Sequence, residues 1–157
     1  MEKDYQQSFF IEKSSVIEEL LSKYSNFKKD YILNQAKEVE LRTTLDKDFI
    51  SKMWIHEKHV VVHDLVFNDI RIAVDTIINL DKVVITIFGR DNKSSEYIRN
   101  NDFYIKTGIN SDLIPKPNKR LIYKEFIKND KLEKDEISLE DISDSLIGLL
   151  GLLEKLK

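Results

Sequence analysis

The fold of this chain is decided by residues 59–88, which read HVVVHDLVFNDIRIAVDTIINLDKVVITIF. β-Branched side chains dominate this stretch, and such residues are restricted in a helix but pack well on a pleated sheet. Two groups of turn-forming residues divide it, because Asn and Asp tolerate positive φ in tight turns. The pattern therefore predicts three consecutive antiparallel strands, at about residues 59–67, 70–78 and 83–88.

A two-residue turn at Asn68-Asp69 would also set the register of the first hairpin. It places Phe67 opposite Ile70 and His63 opposite Val74, on a face that is apolar and should meet the core. This register predicts that His63 is buried and hydrogen-bonded. Residues 83–88 are apolar on both faces, which predicts a strand in the middle of the sheet, covered on both sides.

The opposite face of the same sheet carries two carboxylates. Asp64 and Asp75 become diagonal neighbours, with Cα atoms about 7–8 Å apart, and Thr86 joins them opposite Asp75. Two carboxylates at this separation can hold Mg²⁺ or act in acid–base chemistry. The alternative is a solvated polar patch beside Arg71, since no third ligand is evident. Asp64 and Asp75 are thus the only catalytic candidates that the sequence offers.

Helices are predicted before these strands. Ser15 and Glu18 match a capping box, and apolar residues follow at spacings of three and four, with a potential break at Ser25-Asn26. These apolar residues are Ile17, Leu20, Tyr24, Phe27 and Tyr31. A second helical piece is expected over about 46–55, where Asp46 can cap an apolar stripe.

The signal is weaker after Gly89. We expect a loop at 91–95, further strands at 103–106 and 121–127, and an extended connection at the two prolines between them. Ser138 and Asp141 form a second capping-box pattern, which predicts a final helix to the end of the chain.

This final helix has a heptad seam and an apolar surplus beyond it. The seam is Leu139, Ile142, Leu146, Leu149, Leu153 and Leu156. Ile147, Leu150 and Leu152 lie outside the seam, so a second surface must cover them, either elsewhere in the chain or on another subunit. Gly148 and Gly151 cost about 1 kcal/mol each in a helix, which suggests the close approach of another backbone. The interface candidates are Leu146, Ile147, Leu150, Leu152 and Leu153.

Composition excludes several classes of protein. The 157 residues contain no cysteine, which rules out disulfides, thiolate nucleophiles and Cys-ligated metals. His56, His59 and His63 are close in sequence, but on a strand four residues span roughly 13 Å, so we expect no shared metal. The glycines match neither phosphate-loop nor dinucleotide-binding spacing. No cofactor is predicted.

Charge is unevenly distributed along the chain, although the net charge is only −3. Residues 90–124 hold eight basic and four acidic residues among several aromatics, a composition that can bind single-stranded nucleic acid. Ordinary strand aromatics with solvent-facing lysines are the favoured interpretation. Residues 130–144 hold seven acidic residues and two lysines, a pattern that suits a mimic of a phosphate backbone or, in part, a helix N-terminus.

The sequence therefore predicts one α+β domain over residues 1–157, with N-terminal helices, an antiparallel sheet of three to five strands and an amphipathic C-terminal helix. The leading functional hypothesis is a non-enzymatic, cytoplasmic protein-binding or regulatory module that binds another protein or itself as a homodimer. A composition rich in Ile, Lys and Asn favours a phage or mobile-element origin. The alternative is a metal-dependent enzyme acting on phosphate esters or nucleic acid. A nucleic-acid partner is disfavoured, and no membrane segment is expected.

Overall fold

A computed structural model describes the backbone of residues 2–128 and 137–157, with side chains from residue 13 onward in these ranges. The chain divides into two compact units, Met1–Tyr31 and Ile32–Lys157. The elements are α1 (Glu2–Arg42), β1 (Ile50–His56), β2 (Val60–Phe67), β3 (Ile70–Ile78), β4 (Lys82–Gly89), α2 (Asn92–Tyr97), α3 (Asn101–Thr107), β5 (Leu121–Ile127) and α4 (Leu139–Leu153). Short 3₁₀ turns occur at Ser111–Leu113 and Glu154–Leu156. The predicted α+β class is confirmed.

The five strands form one antiparallel sheet in the order β1-β2-β3-β4-β5. The predicted hairpin register is confirmed, because Phe67 pairs with Ile70 and His63 pairs with Val74. Asn68 supplies the positive φ of the turn, at 55°. Every neighbour in the sheet is also the next strand in sequence. Short turns join β1 to β4, whereas residues 90–120, with α2 and α3, connect β4 to β5.

Alternation along the strands gives the sheet two different faces. We call the face with His63 and Val74 the core face, and the face with Asp64 and Asp75 the outer face. The buried apolar cluster joins the core face to the last turns of α1, to α3 and to α4. On β4, which lies between β3 and β5, the outer-face residues Val84 and Phe88 are only half-buried. The expected cover on both sides of this strand is therefore incomplete.

The helix predicted at 46–55 is wrong, because Ile50–His56 is strand β1, paired with β2. The turn that joins them has positive φ at Glu57 (49°) and Lys58 (66°). Positive φ is uncommon outside Gly, Asn and Asp, so this hairpin lacked its usual sequence signal. Pairing with β2 outweighed a helical spacing of apolar residues.

Three other local predictions are also wrong. Residues 103–106 belong to helix α3, whose N-cap Asn100 accepts a hydrogen bond from the Asp102 amide and whose C-cap Gly108 has φ 75°. The expected loop at 91–95 contains the start of α2, where the Asp91 carboxylate accepts from the Ser94 amide at 2.7 Å. Helix α1 begins at Glu2, so Ser15 is not its N-cap and Ser25-Asn26 does not interrupt it. The caps of α2 and α3 stabilise helices in segments whose short apolar patterns predicted a loop and a strand.

Candidate functional site

Six side chains on the outer face form a group of charges and aromatic rings, which we call the outer-face cluster. They are Trp54, Asp64, Asp75, Phe88, Arg90 and Arg120. Strands β1 to β4 supply one residue each, in the order Trp54, Asp64, Asp75 and Phe88. Arg90 directly follows β4, and Arg120 directly precedes β5. Antiparallel pairing thus brings residues from distant parts of the sequence onto one surface.

Arg90 holds the carboxylate of Asp64. Its Nη2 lies 2.7 Å and its Nε 2.8 Å from Asp64 Oδ1, so both nitrogens donate to one oxygen. The Arg90 backbone amide donates to the Arg71 carbonyl at 2.9 Å, which extends the β3–β4 pairing by one residue and positions the side chain. The Asp64 side chain is partly buried, whereas Arg90 is exposed. The charge of Asp64 is therefore compensated within the protein.

Arg120 compensates Asp75 in the same way. Its Nη1 lies 2.6 Å from Asp75 Oδ2 and 3.5 Å from the Thr86 hydroxyl. The Asp75 side chain is 10% exposed, and its Oδ1 accepts no hydrogen bond from the described residues. Thr86 pairs with Asp75 across β3 and β4, as predicted. Of the two carboxylates, that of Asp75 is the more buried.

Both guanidinium groups make cation–π contacts with aromatic rings. Arg120 Cζ lies 4.2 Å and Arg90 Cζ 5.0 Å from the centre of the Phe88 ring. Arg90 Cζ also lies 5.7 Å from the centre of the Trp54 ring. The Lys52 ammonium lies 4.5 Å from the centre of the same ring. Cation–π contacts of this kind contribute about 0.5–2 kcal/mol each. Each arginine is therefore held by a carboxylate and a ring together.

The two candidate carboxylates lie where the register places them, as diagonal neighbours: Asp64 pairs with Ala73, and Asp75 pairs with Val62. Their ion-pair partners are Arg90 and Arg120, two residues that the sequence pattern did not place beside them. A divalent cation bound by both carboxylates would lie beside two guanidinium groups, whose positive charges oppose its binding. Within residues 13–128 and 137–157, no group of three or more His, Asp or Glu is arranged to hold a metal ion.

The three histidines lie in different environments. His63 is fully buried on the core face, as predicted, and its Nε2 lies 3.4 Å from the Thr43 carbonyl oxygen. Burial lowers the pKa of His63 to about 4, so its imidazole is neutral at physiological pH. His56 is exposed, and it pairs with Val60 on the outer face. His59 lies at the end of the β1–β2 turn.

The interface candidates of the final helix are largely used by the chain itself. Leu146, Leu150 and Leu153 are at most 1% exposed and belong to the main core, and Leu152 packs against that core. Ile147 is the exception, with 37% of its surface exposed. Intramolecular packing thus accounts for most of the apolar surplus of α4.

The two glycines of α4 do not mark a close backbone contact within the described chain. A Cβ atom built on Gly148 or Gly151 meets no atom of the described residues within 4 Å. No other described segment of this chain therefore approaches these glycines, and an approach by another subunit stays a prediction. The cap of the helix is confirmed, because the Ser138 hydroxyl accepts from the Asp141 amide at 3.3 Å.

The charged stretches give a mixed outcome. In the basic stretch, Phe103 and Tyr104 are buried on α3, and the Tyr104 hydroxyl donates to the Ile98 carbonyl at 2.7 Å. These two rings are therefore not available to stack on nucleic-acid bases. Residues 130–136, which hold four of the seven acids of the acidic stretch, lie outside the described residues. Glu140 and Asp141 occupy the first turn of α4.

Exposed apolar side chains are concentrated in the unit Met1–Tyr31. Six side chains of α1 are between 54% and 67% exposed, and we call them the α1 stripe: Val16, Ile17, Leu20, Leu21, Tyr24 and Phe27. The spacing of three and four signals a helix face in the sequence, but it does not reveal whether that face is buried. Sequence reasoning therefore found the helix face and missed its exposure.

Among the described residues, no helix is long and apolar enough to cross a membrane. Comparison with family models, with curated proteins and with solved structures finds no match to this chain.

Proposed function

We propose that this chain is a non-enzymatic protein-binding module that engages its partner through the α1 stripe. The observation that carries the proposal is the exposure of six large apolar side chains within twelve residues of one helix. Soluble proteins rarely leave contiguous apolar patches open to water unless a partner or ligand covers them. A cytoplasmic regulatory role, in a phage or mobile element, is part of the proposal and rests on composition.

The form of the α1 stripe suits a helical contact. At about 100° per residue, Val16 to Phe27 occupy an arc of roughly 140° on the helix, wide enough to bury against a neighbouring helix or groove. The remaining arc carries Glu18, Ser22 and Lys29, which are all exposed. Helices of this kind bind through apolar anchors at spacings of three and four. Ile147 on α4 is a second, smaller candidate contact.

Matched substitutions on α1 test this proposal. Leu20→Asp combined with Phe27→Asp places charge in the α1 stripe, and Ser22→Asp places it on the polar side of the same helix. Because all three residues are exposed, each variant should keep its circular dichroism spectrum and melting temperature. A partner isolated by co-purification should bind the wild type and Ser22→Asp and lose the double variant. Equal binding of all three proteins would contradict the proposal.

The alternative is a metal-dependent enzyme that uses Asp64 and Asp75. It is disfavoured because each carboxylate is already bound by an arginine. Calorimetric titration with Mg²⁺ and Mn²⁺ should therefore detect no stoichiometric site. A one-to-one site that disappears in both Asp64→Asn and Asp75→Asn, together with a metal-dependent hydrolytic activity, would support the enzyme instead.

A further inference from the structure

We propose that the partner of the α1 stripe is a second copy of the same helix, packed antiparallel to the first. The inference rests on the proposed function and names the occupant of that surface. Residues 17–31 carry apolar side chains at successive spacings of three, four, three and four, which is the a and d pattern of a coiled coil. In this pattern Ile17, Tyr24 and Tyr31 take position a, and Leu20 and Phe27 take position d.

The charges beside this seam discriminate between the two orientations. Lys23 and Asp30 occupy position g, and Lys28 occupies position e. In a parallel pair, each g residue faces the following e residue of the other helix, so Lys23 would face Lys28 of the second copy on both sides. Like charges at this position are unfavourable. A parallel homodimer would thus place two lysine pairs along a short interface.

An antiparallel pair replaces this repulsion with attraction. In that orientation g positions face g positions, so Lys23 of each copy lies opposite Asp30 of the other. The matching register packs Tyr24 against Phe27 of the second copy and Leu20 against Tyr31. Two-fold symmetry repeats every contact, as in other closed dimers. In the single chain, Lys23 forms an exposed ion pair with Glu19, at 3.1 Å, which leaves it able to turn toward Asp30 of a second copy.

The side chains of the seam are suited to this arrangement. The rings of Phe27 and Tyr31 already stack within one helix, with centroids 6.4 Å apart. Aromatic pairs add to the stabilisation from buried area, and tyrosine hydroxyls at the rim of a two-helix interface can remain in water. Leu21 at position e would cover the aliphatic stem of Lys28 from the second copy. The interface therefore buries most of the α1 stripe.

Charge reversal on the full-length protein tests the orientation. Sedimentation equilibrium of the wild type should give a mass of twice 18.5 kDa. Lys23→Asp should weaken the dimer by about tenfold, because two attractive pairs become repulsive. Lys23→Asp with Asp30→Lys should restore the wild-type affinity. The double variant keeps the new repulsion between Glu19 and Asp at position 23, so recovery reports the contact between copies and not helix stability. A tighter dimer in Lys23→Asp would show a parallel pair and overturn the inference.

Spin labels provide an independent readout, since the chain contains no cysteine. In the antiparallel register, labels at Ser15→Cys in the two copies are separated by about 30 Å along the axis, whereas a parallel pair keeps them level. Labels at Asn26→Cys, near the two-fold axis, should be close in either case and serve as the control. A short distance at both positions would overturn the antiparallel dimer.

The same measurements separate this inference from the proposed function. If the wild type stays monomeric at about 100 µM, the second copy is not the occupant and the inference fails. The proposed function then depends on whether another protein binds the wild type and loses the Leu20→Asp, Phe27→Asp variant.

Discussion

The guanidinium of Arg120 and the carboxylate of Asp75 form an ion pair on the outer face of the sheet, with Nη1 2.6 Å from Oδ2. The two residues are 45 positions apart in sequence, and β4, α2 and α3 lie between them. Because the Asp75 side chain is 10% exposed, its charge depends on this partner more than a surface carboxylate would. The pair thus ties the start of β5 to the middle of β3.

Loss of Arg120 should therefore destabilise the fold. Arg120→Met keeps much of the side-chain volume but leaves the Asp75 charge uncompensated, and we expect the free energy of unfolding to fall by about 1–3 kcal/mol in urea titrations. Adding Asp75→Asn should recover part of this loss. Lys93→Met, which removes an exposed ion pair with Asp69, is the control and should cost less than about 0.5 kcal/mol. Equal losses in the two single variants would contradict this account.

Burial of His63 predicts a specific pH dependence of stability. Burial lowers its pKa in the folded protein to about 4, whereas the unfolded chain has the ordinary value of 6.5. Above pH 6.5 the imidazole of His63 is neutral in both the folded and the unfolded state. Between pH 6.5 and about 4 it binds a proton only in the unfolded state. Stability should therefore fall as the pH decreases through this window, by about 3 kcal/mol in total.

Substitution should isolate the contribution of His63. The free energy of unfolding of His63→Leu, measured from pH 7 to pH 4, should lack this component, so the difference from wild type should change with pH. His56→Leu alters an exposed histidine and should follow the wild-type profile. Parallel profiles for wild type and His63→Leu would show that the imidazole does not control the effect.

The two sides of α4 should respond differently to mutation. Leu149 is fully buried, so Leu149→Ala should cost about 2–5 kcal/mol through lost transfer energy and the cavity left behind. Leu150→Asp should unfold the chain, since it buries a charge in the core. Ile147→Asp, at a 37% exposed position, should leave the melting temperature nearly unchanged. A Leu150→Asp protein that stays folded would contradict the burial of this residue in the core of the single chain.

The glycines should also separate by environment. A Cβ atom at Gly89 would overlap the Ser95 amide nitrogen, so Gly89→Ala must push β4 away from α2 and should cost about 1–3 kcal/mol. Gly148 has open space and a helical backbone, so Gly148→Ala should stabilise the protein by up to about 1 kcal/mol. Thermal unfolding of both variants checks the two signs. A neutral Gly89→Ala would show that the strand and helix are not in tight contact.

The local sequence determined the central hairpin and the final helix. The turn at Asn68-Asp69 sets which side chains share a face, and this alone predicted the burial of His63 and the diagonal placement of Asp64 and Asp75. The spacing of apolar residues in α4 likewise predicted which of its side chains are buried. Periodicity and turn chemistry depend on neighbours in the chain, so their physical cause is present in a short segment of sequence.

Only the tertiary structure decided what surrounds these side chains. Strand β1 exists because β2 pairs with it, although its own apolar spacing favoured a helix. Asp64 and Asp75 are held by arginines 26 and 45 residues away, and no local pattern specifies such partners. Leu150 is covered by the chain's own core, whereas the α1 stripe stays exposed. Burial and charge compensation depend on which segments meet in space, and that is a property of the assembled fold rather than of any segment alone.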